Sequence, residues 1–166
     1  MLRFIALYLL YISLSFLLIE HDFFKSWLQI NALYTIWVTL ISAKLMSLFV
    51  SLQYDSNFIH LPTLNLEIKF GCNGLESIVL YISAVWAYKA TFKEKLYGLG
   101  IGLVAIYAIN IVRIMVLGYV GVNHFEYFDV MHTYITQNIM IVLVFFVFLI
   151  YINFVKSHEK QYGTNE

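Results

Sequence analysis

The sequence predicts an all-α membrane protein: a bundle of about five transmembrane helices with a short strand-like segment at the outer interface before the third span. Three observations predict it. Of 166 residues, 61% are hydrophobic and only 12% are charged, against about 25% charged in a soluble domain. The chain holds one proline and one cysteine, which excludes a collagen-like fibre, a disulfide scaffold and a cysteine-rich metal finger. Five apolar stretches approach the roughly 20 residues that a helix needs to cross a bilayer. Lys+Arg and Asp+Glu balance at 10 each, so no global basic field is available for nucleic acid. The lipid bilayer is the first expected partner.

The first stretch, Phe4–Ile19, is uncharged. Arg3 and the apolar run suggest a secretory signal, but Ile19-Glu20-His21-Asp22 is not a small-residue cleavage site, so a retained span is expected. The second stretch, near Trp27–Leu52, holds Lys44. The third, near Gly71–Thr91, holds Glu76 and Lys89. The fourth, near Leu96–Val122, holds Arg113, and the fifth, near Thr133–Val155, is uncharged. Residues 1–155 are expected to form a single transmembrane domain and residues 156–166 a polar cytoplasmic tail. Between the second and third spans, Tyr54–Gly71 is the longest polar stretch and carries Pro62. Within it, Leu64–Phe70 alternates apolar and polar residues with period two, which predicts a strand running into Cys72.

Basic residues mark the cytoplasmic side of a membrane protein. A cytoplasmic Lys89–Lys95 connection puts Lys25, Lys93, Lys156 and Lys160 on the same side, with Arg3 and Lys69 outside. The N-terminus is then expected outside and the C-terminus inside. The orientation of the last three spans does not depend on how the first two are drawn. It places both the segment before Cys72 and the Asn123–His132 loop on the exterior.

Ionisable groups within a bilayer cost about 2.5 kcal/mol or more and are functional candidates by default. Lys44, Glu76 and Arg113 are expected at similar depth, as a buried charge network. Arg113 lies about 15 Å below the outer end of its span, at 1.5 Å per residue. It must therefore face the bundle interior. Lys89 lies near the inner end, where a lysine snorkels.

Cys72 sits in Gly71-Cys72-Asn73-Gly74-Leu75-Glu76-Ser77 at the exterior mouth of the third span. The flanking glycines permit unusual backbone angles, and a cation beside a thiol favours the thiolate. His132 opens the fifth span on the same side, and a histidine near neutrality can move protons between nucleophile and leaving group. A nucleophile, a fixed cation and an acid–base group thus come from three consecutive spans. His124, eight residues earlier, is the alternative acid–base group. His60 and His21 read as interfacial polar residues.

Cys72-Asn73-Gly74-Leu75-Glu76-Ser77, then Asn110-Ile111-Val112-Arg113, then His132 at the head of a final span, resembles the exosortase/archaeosortase family of multi-span membrane cysteine transpeptidases. The resemblance covers roughly Phe58 to Tyr151. It implies Cys72 as nucleophile, Arg113 as stabiliser of the charged intermediate and His132 as proton-transfer group. Gly74, Ser77 and Asn110 match supporting positions, and Glu76 is a supporting candidate beside them. Asn73 stands where a small or hydroxyl residue is more usual, and the chain has fewer spans than full-length members. The implied substrate is an exported protein ending in a short motif, a hydrophobic span and a basic tail, with an accessory membrane protein as a further candidate partner. The implied location is the cytoplasmic membrane of a bacterium or archaeon, with the active site facing the exterior. No metal or organic cofactor is implied.

Two other readings come from the same residues. Lys44, Glu76 and Arg113 lining a permeation path would make a transporter subunit. A chain of this length could also be a non-catalytic assembly protein. The group His124, Glu126, Asp129 and His132 fits no helical metal-ligand spacing.

Overall fold

The computed structural model describes residues 2–20, 30–69 and 71–163. Among these are five helices and one small sheet: α1 (Leu2–Glu20), α2 (Ile30–Met46), α3 (Leu75–Ala87), α4 (Phe92–Asn123) and α5 (Thr136–Gly163). Strands β1 (Gln53–Asp55), β2 (Phe58–His60) and β3 (Asn65–Glu67) lie between α2 and α3. The strand predicted over Leu64–Phe70 is realised as β3, which forms one edge of an antiparallel sheet of order β1-β2-β3. Leu66 pairs with Ile59, and both are buried. Alternation therefore puts one face of the sheet into the core.

The helices are not five equal spans. Two are long and apolar enough to cross a bilayer, Phe92–Asn123 and the helical stretch Phe125–Glu159. Helix α3 has 13 residues, about 20 Å at 1.5 Å per residue, against a hydrocarbon core of about 30 Å. It starts at Leu75 rather than Gly71, because Gly71 and Gly74 take positive φ of 91° and 83° and hold the chain in a turn there. Helix α2 ends at Met46, so the second expected span stops short of Leu52. Its start near Trp27, and His21 and Lys25, lie outside the described residues. Helix α5 continues to Gly163, so residues 156–163 are helical.

Helix α4 is the axis of the bundle. Thr91 and Glu94 close a capping box at its start, satisfying two N-terminal donors. Gly98 and Gly102 bring Tyr151 and Tyr81 against its backbone, where a Cβ would stand 2.3 and 2.2 Å from their ring atoms. The Tyr81 hydroxyl donates to the Gly98 carbonyl at 2.8 Å. Two cores lie along α4. One gathers Tyr81, Val85, Ile106, Met140, Phe148 and Tyr151. The other joins Val38, Met46, Ile59, Leu66 and Ile68 to Ile114. Asn110 and Arg113 fall between Ile106 and Ile114, at the junction of the two.

Helix direction corrects one expectation. Phe4 at the start of α1 stacks on Phe148 at 6.0 Å and meets Tyr88 edge-on at 6.4 Å. Tyr97 at the start of α4 stacks on Phe154 at 4.8 Å. The start of α1 therefore lies at the end of the bundle that holds Lys89–Lys95 and the end of α5, and Arg3 belongs with those lysines rather than opposite them. Helix α2 runs in the same sense as α4: Tyr34 meets Tyr107 at 6.0 Å, and Met46 abuts Gly118. Among the described residues, two helices next to each other in sequence point the same way, which breaks the alternation on which an exterior N-terminus was expected.

Candidate active site

The Gly71–Gly74 turn carries Cys72 and is locked from three sides. The Cys72 and Asn73 amides both donate to the Lys69 carbonyl at 2.9 Å. The fully buried Asn110 donates its Nδ2 to the Asn73 carbonyl at 2.7 Å. The Asn73 side chain, also fully buried, accepts from the Leu75 amide at 3.1 Å. It donates to Asn31 Oδ1 at 2.8 Å and to Thr35 Oγ1 at 2.9 Å. A Cβ on Gly74 would meet Asn110 Cγ at 2.7 Å, so glycine is required there both for its φ and for space. Asn31 and Thr35 lie four apart on α2, one helix face, and belong to a polar stripe continued by Thr39 and Ser42, of which Thr35, Thr39 and Ser42 are buried. That stripe was readable in the sequence as polar residues at helical spacing.

Cys72 Sγ lies 2.8 Å from His132 Nε2. His132 occupies a π-helical turn, Met131–Ile135, between a helical turn at Phe128–Val130 and α5. Such a turn inserts a residue into the helical register and re-aims a side chain, and it occurs often at functional sites. Phe128 stacks on the imidazole at 5.8 Å with the rings 8° from parallel, and so fixes its plane.

Arg113 is 8% exposed. Its Nε donates to Thr136 Oγ1 at 3.2 Å, and the Thr136 hydroxyl donates to the His132 carbonyl at 3.3 Å. One hydroxyl thus ties the guanidinium to the turn that bears the imidazole. Arg113 Nη2 is buried with no hydrogen-bond partner among the described residues, so the guanidinium keeps an unused charged donor. Thr136 was not singled out from the sequence; its position four residues after His132 is the signal that would have found it.

Cys72 lies in the turn ahead of α3. Burial pushes its thiol above the ordinary value; Arg113 beside it pulls the other way, Glu76 raises it further and Lys69 lowers it. The Glu76 carboxylate folds back toward the turn, 3.7 Å from where a Gly71 Cβ would stand. Ser77 is buried in the first turn of α3 without a side-chain bond to the site. The expected network of Lys44, Glu76 and Arg113 does not form: Lys44 is exposed in the last turn of α2, and no hydrogen bond or ion pair among the described residues joins the three. His124 sits exposed at the C-terminal end of α4 with its ring against Tyr127 at 6.5 Å. His60 bonds Asn65 at 2.8 Å.

A profile described as transmembrane exosortase matches residues 1–152. No curated protein and no solved structure matches the chain. With nearly its whole length covered by that profile, the chain belongs to the transmembrane exosortase family.

Proposed function

We propose that this protein is a cysteine peptidase or transpeptidase of the cytoplasmic membrane, cleaving C-terminal sorting signals of exported proteins through a thioacyl intermediate. The observation that carries this reading is the 2.8 Å approach of Cys72 Sγ to His132 Nε2 with a buried, incompletely partnered guanidinium beside the sulfur. His132 Nε2 takes the thiol proton as the sulfur attacks a backbone carbonyl carbon. A C–S bond forms and the carbonyl electron pair moves onto oxygen. In many cysteine enzymes the amide of the nucleophile itself stabilises that oxyanion. Here the Cys72 and Asn73 amides are both committed to Lys69, so the role falls to Arg113, whose donor is charged and buried. Collapse breaks the C–N bond, and the imidazolium gives its proton to the leaving amine. An amine or water then attacks the thioester, His132 again taking the proton, and the sulfur is released.

The test is co-expression of the chain with a tagged exported protein that ends in a short motif, a hydrophobic span and a basic tail. Cys72→Ala and His132→Ala abolish processing, and hydroxylamine captures the tagged fragment from the wild-type thioester only. Processing that survives Cys72→Ala removes the thiol mechanism.

A further inference from the structure

At the end of α3 far from Cys72, a crevice of about 900 Å³ opens between α1, α3 and α5. Its walls are apolar, with Phe4 and Leu7 from α1 and Phe148 and Ile152 from α5. Its rim carries Arg3, Lys89 and Lys95, cations from three separate places in the chain, and among the described residues no Asp or Glu lines it. Lys95 donates to the Trp86 carbonyl at 2.8 Å and sits 5.3 Å from the Trp86 ring centroid, which holds an indole at the mouth. Arg3 and Lys89 are exposed. Indoles and tyrosines favour the headgroup level of a membrane, and basic pockets between helices on the cytoplasmic side recognise anionic headgroups.

We infer that this crevice binds one anionic phospholipid, its phosphate between Arg3 and Lys89 and its acyl chains along the Phe4–Phe148 wall. The charge of the rim selects the anionic headgroup, because a zwitterionic lipid brings its own cation to the same three. The apolar wall selects a lipid over a free phosphate. The site is about 20 Å from Cys72 along α3 and shares no residue with it, so it stands whether or not Cys72 is a nucleophile.

The experiment uses the full chain purified in a neutral detergent and incubated with phosphatidylglycerol or phosphatidylcholine of identical acyl chains, with bound lipid read by native mass spectrometry. Phosphatidylglycerol is retained and phosphatidylcholine is lost. The Arg3→Gln/Lys89→Gln double variant lowers phosphatidylglycerol retention about 25-fold at low salt, at about fivefold for each cation removed near a membrane surface. Lys93→Gln, which does not line the crevice, leaves retention unchanged, and glycerol 1-phosphate does not displace the lipid. Both substituted side chains are exposed, and a helical circular dichroism spectrum equal to wild type shows that the double variant folds. Equal retention of the two lipids, undiminished retention by the folded double variant, or displacement by glycerol 1-phosphate would each overturn the assignment.

Discussion

Cys72 is held in a balance that single substitutions can tip. Burial and Glu76 raise its thiol, while Arg113 and Lys69 lower it, and the net direction is upward. A free cysteine titrates near about 8.5. With a raised value, the thiolate fraction at neutral pH is smaller than for a free cysteine. It grows about tenfold per pH unit until the folded value is passed. Alkylation of Cys72 by iodoacetamide should therefore keep accelerating above pH 8.5, where a free thiol levels off. Removing the raising charge with Glu76→Gln moves the curve to lower pH and speeds labelling at pH 7.5. Removing the lowering charge with Arg113→Gln slows it. Arg113→Lys, which keeps a cation but not the two-sided guanidinium, should label faster than Arg113→Gln. Rates that do not separate Glu76→Gln from Arg113→Gln would remove these two charges from the thiol's surroundings.

Between elements, Thr136 does what no single helix can. It sits at the start of α5, accepts from Arg113 on α4 and donates to the His132 carbonyl in the π-helical turn. A hydrogen bond to a charged group contributes about 1.5–3 kcal/mol, so a guanidinium freed from this anchor should cost about ten- to a hundredfold in turnover if its placement matters to the transition state. Thr136→Val keeps the volume and removes the acceptor; Thr136→Ser keeps the acceptor. The expected outcome is a large loss of substrate processing in Thr136→Val, recovery in Thr136→Ser, and near-equal melting temperatures for the two. A melting temperature that falls in step with processing would make Thr136 a packing residue only. The element scale also shows what the sequence could convey. Cys72, Arg113 and His132 stood out because a thiol in a glycine turn, a mid-span guanidinium and a span-opening imidazole are each costly or unusual in an apolar chain. Thr136, Asn31 and Thr35 did not, because hydroxyls and amides are common on membrane helices; their helical spacing is in the sequence, but only the partner helix reveals its use. Strand β3 was legible because the alternation runs beyond its three residues, over Leu64–Phe70, whereas β2 sets the apolar Phe58 and Ile59 side by side and shows no period of two.

At the scale of the whole molecule, orientation follows from which ends of the helices meet. Summing basic residues over an assumed alternation of five spans placed Arg3 opposite Lys89, Lys93 and Lys95. Packing places it with them, since Phe4 lies against Tyr88 and Phe148. Of the described cations, Arg3, Lys89, Lys93, Lys95 and Lys156 gather at one end, Lys69, paired with Glu67 at 2.8 Å, and Lys44, in the last turn of α2, lie toward the other, and Arg113 is buried between them. Such asymmetry predicts a cytoplasmic basic end. In a Cys72→Ser background, Leu2→Cys and Ser157→Cys should both resist a membrane-impermeant maleimide in intact cells and react after permeabilisation. Ser56→Cys, in the exposed turn between β1 and β2, should react without it. The outcome that would sink this arrangement is a Leu2→Cys that labels from outside together with Ser56→Cys. It would put α1 in the bilayer the other way up, detach Phe4 from its aromatic neighbours, and separate Arg3 from the lysines whose company the fold gives it.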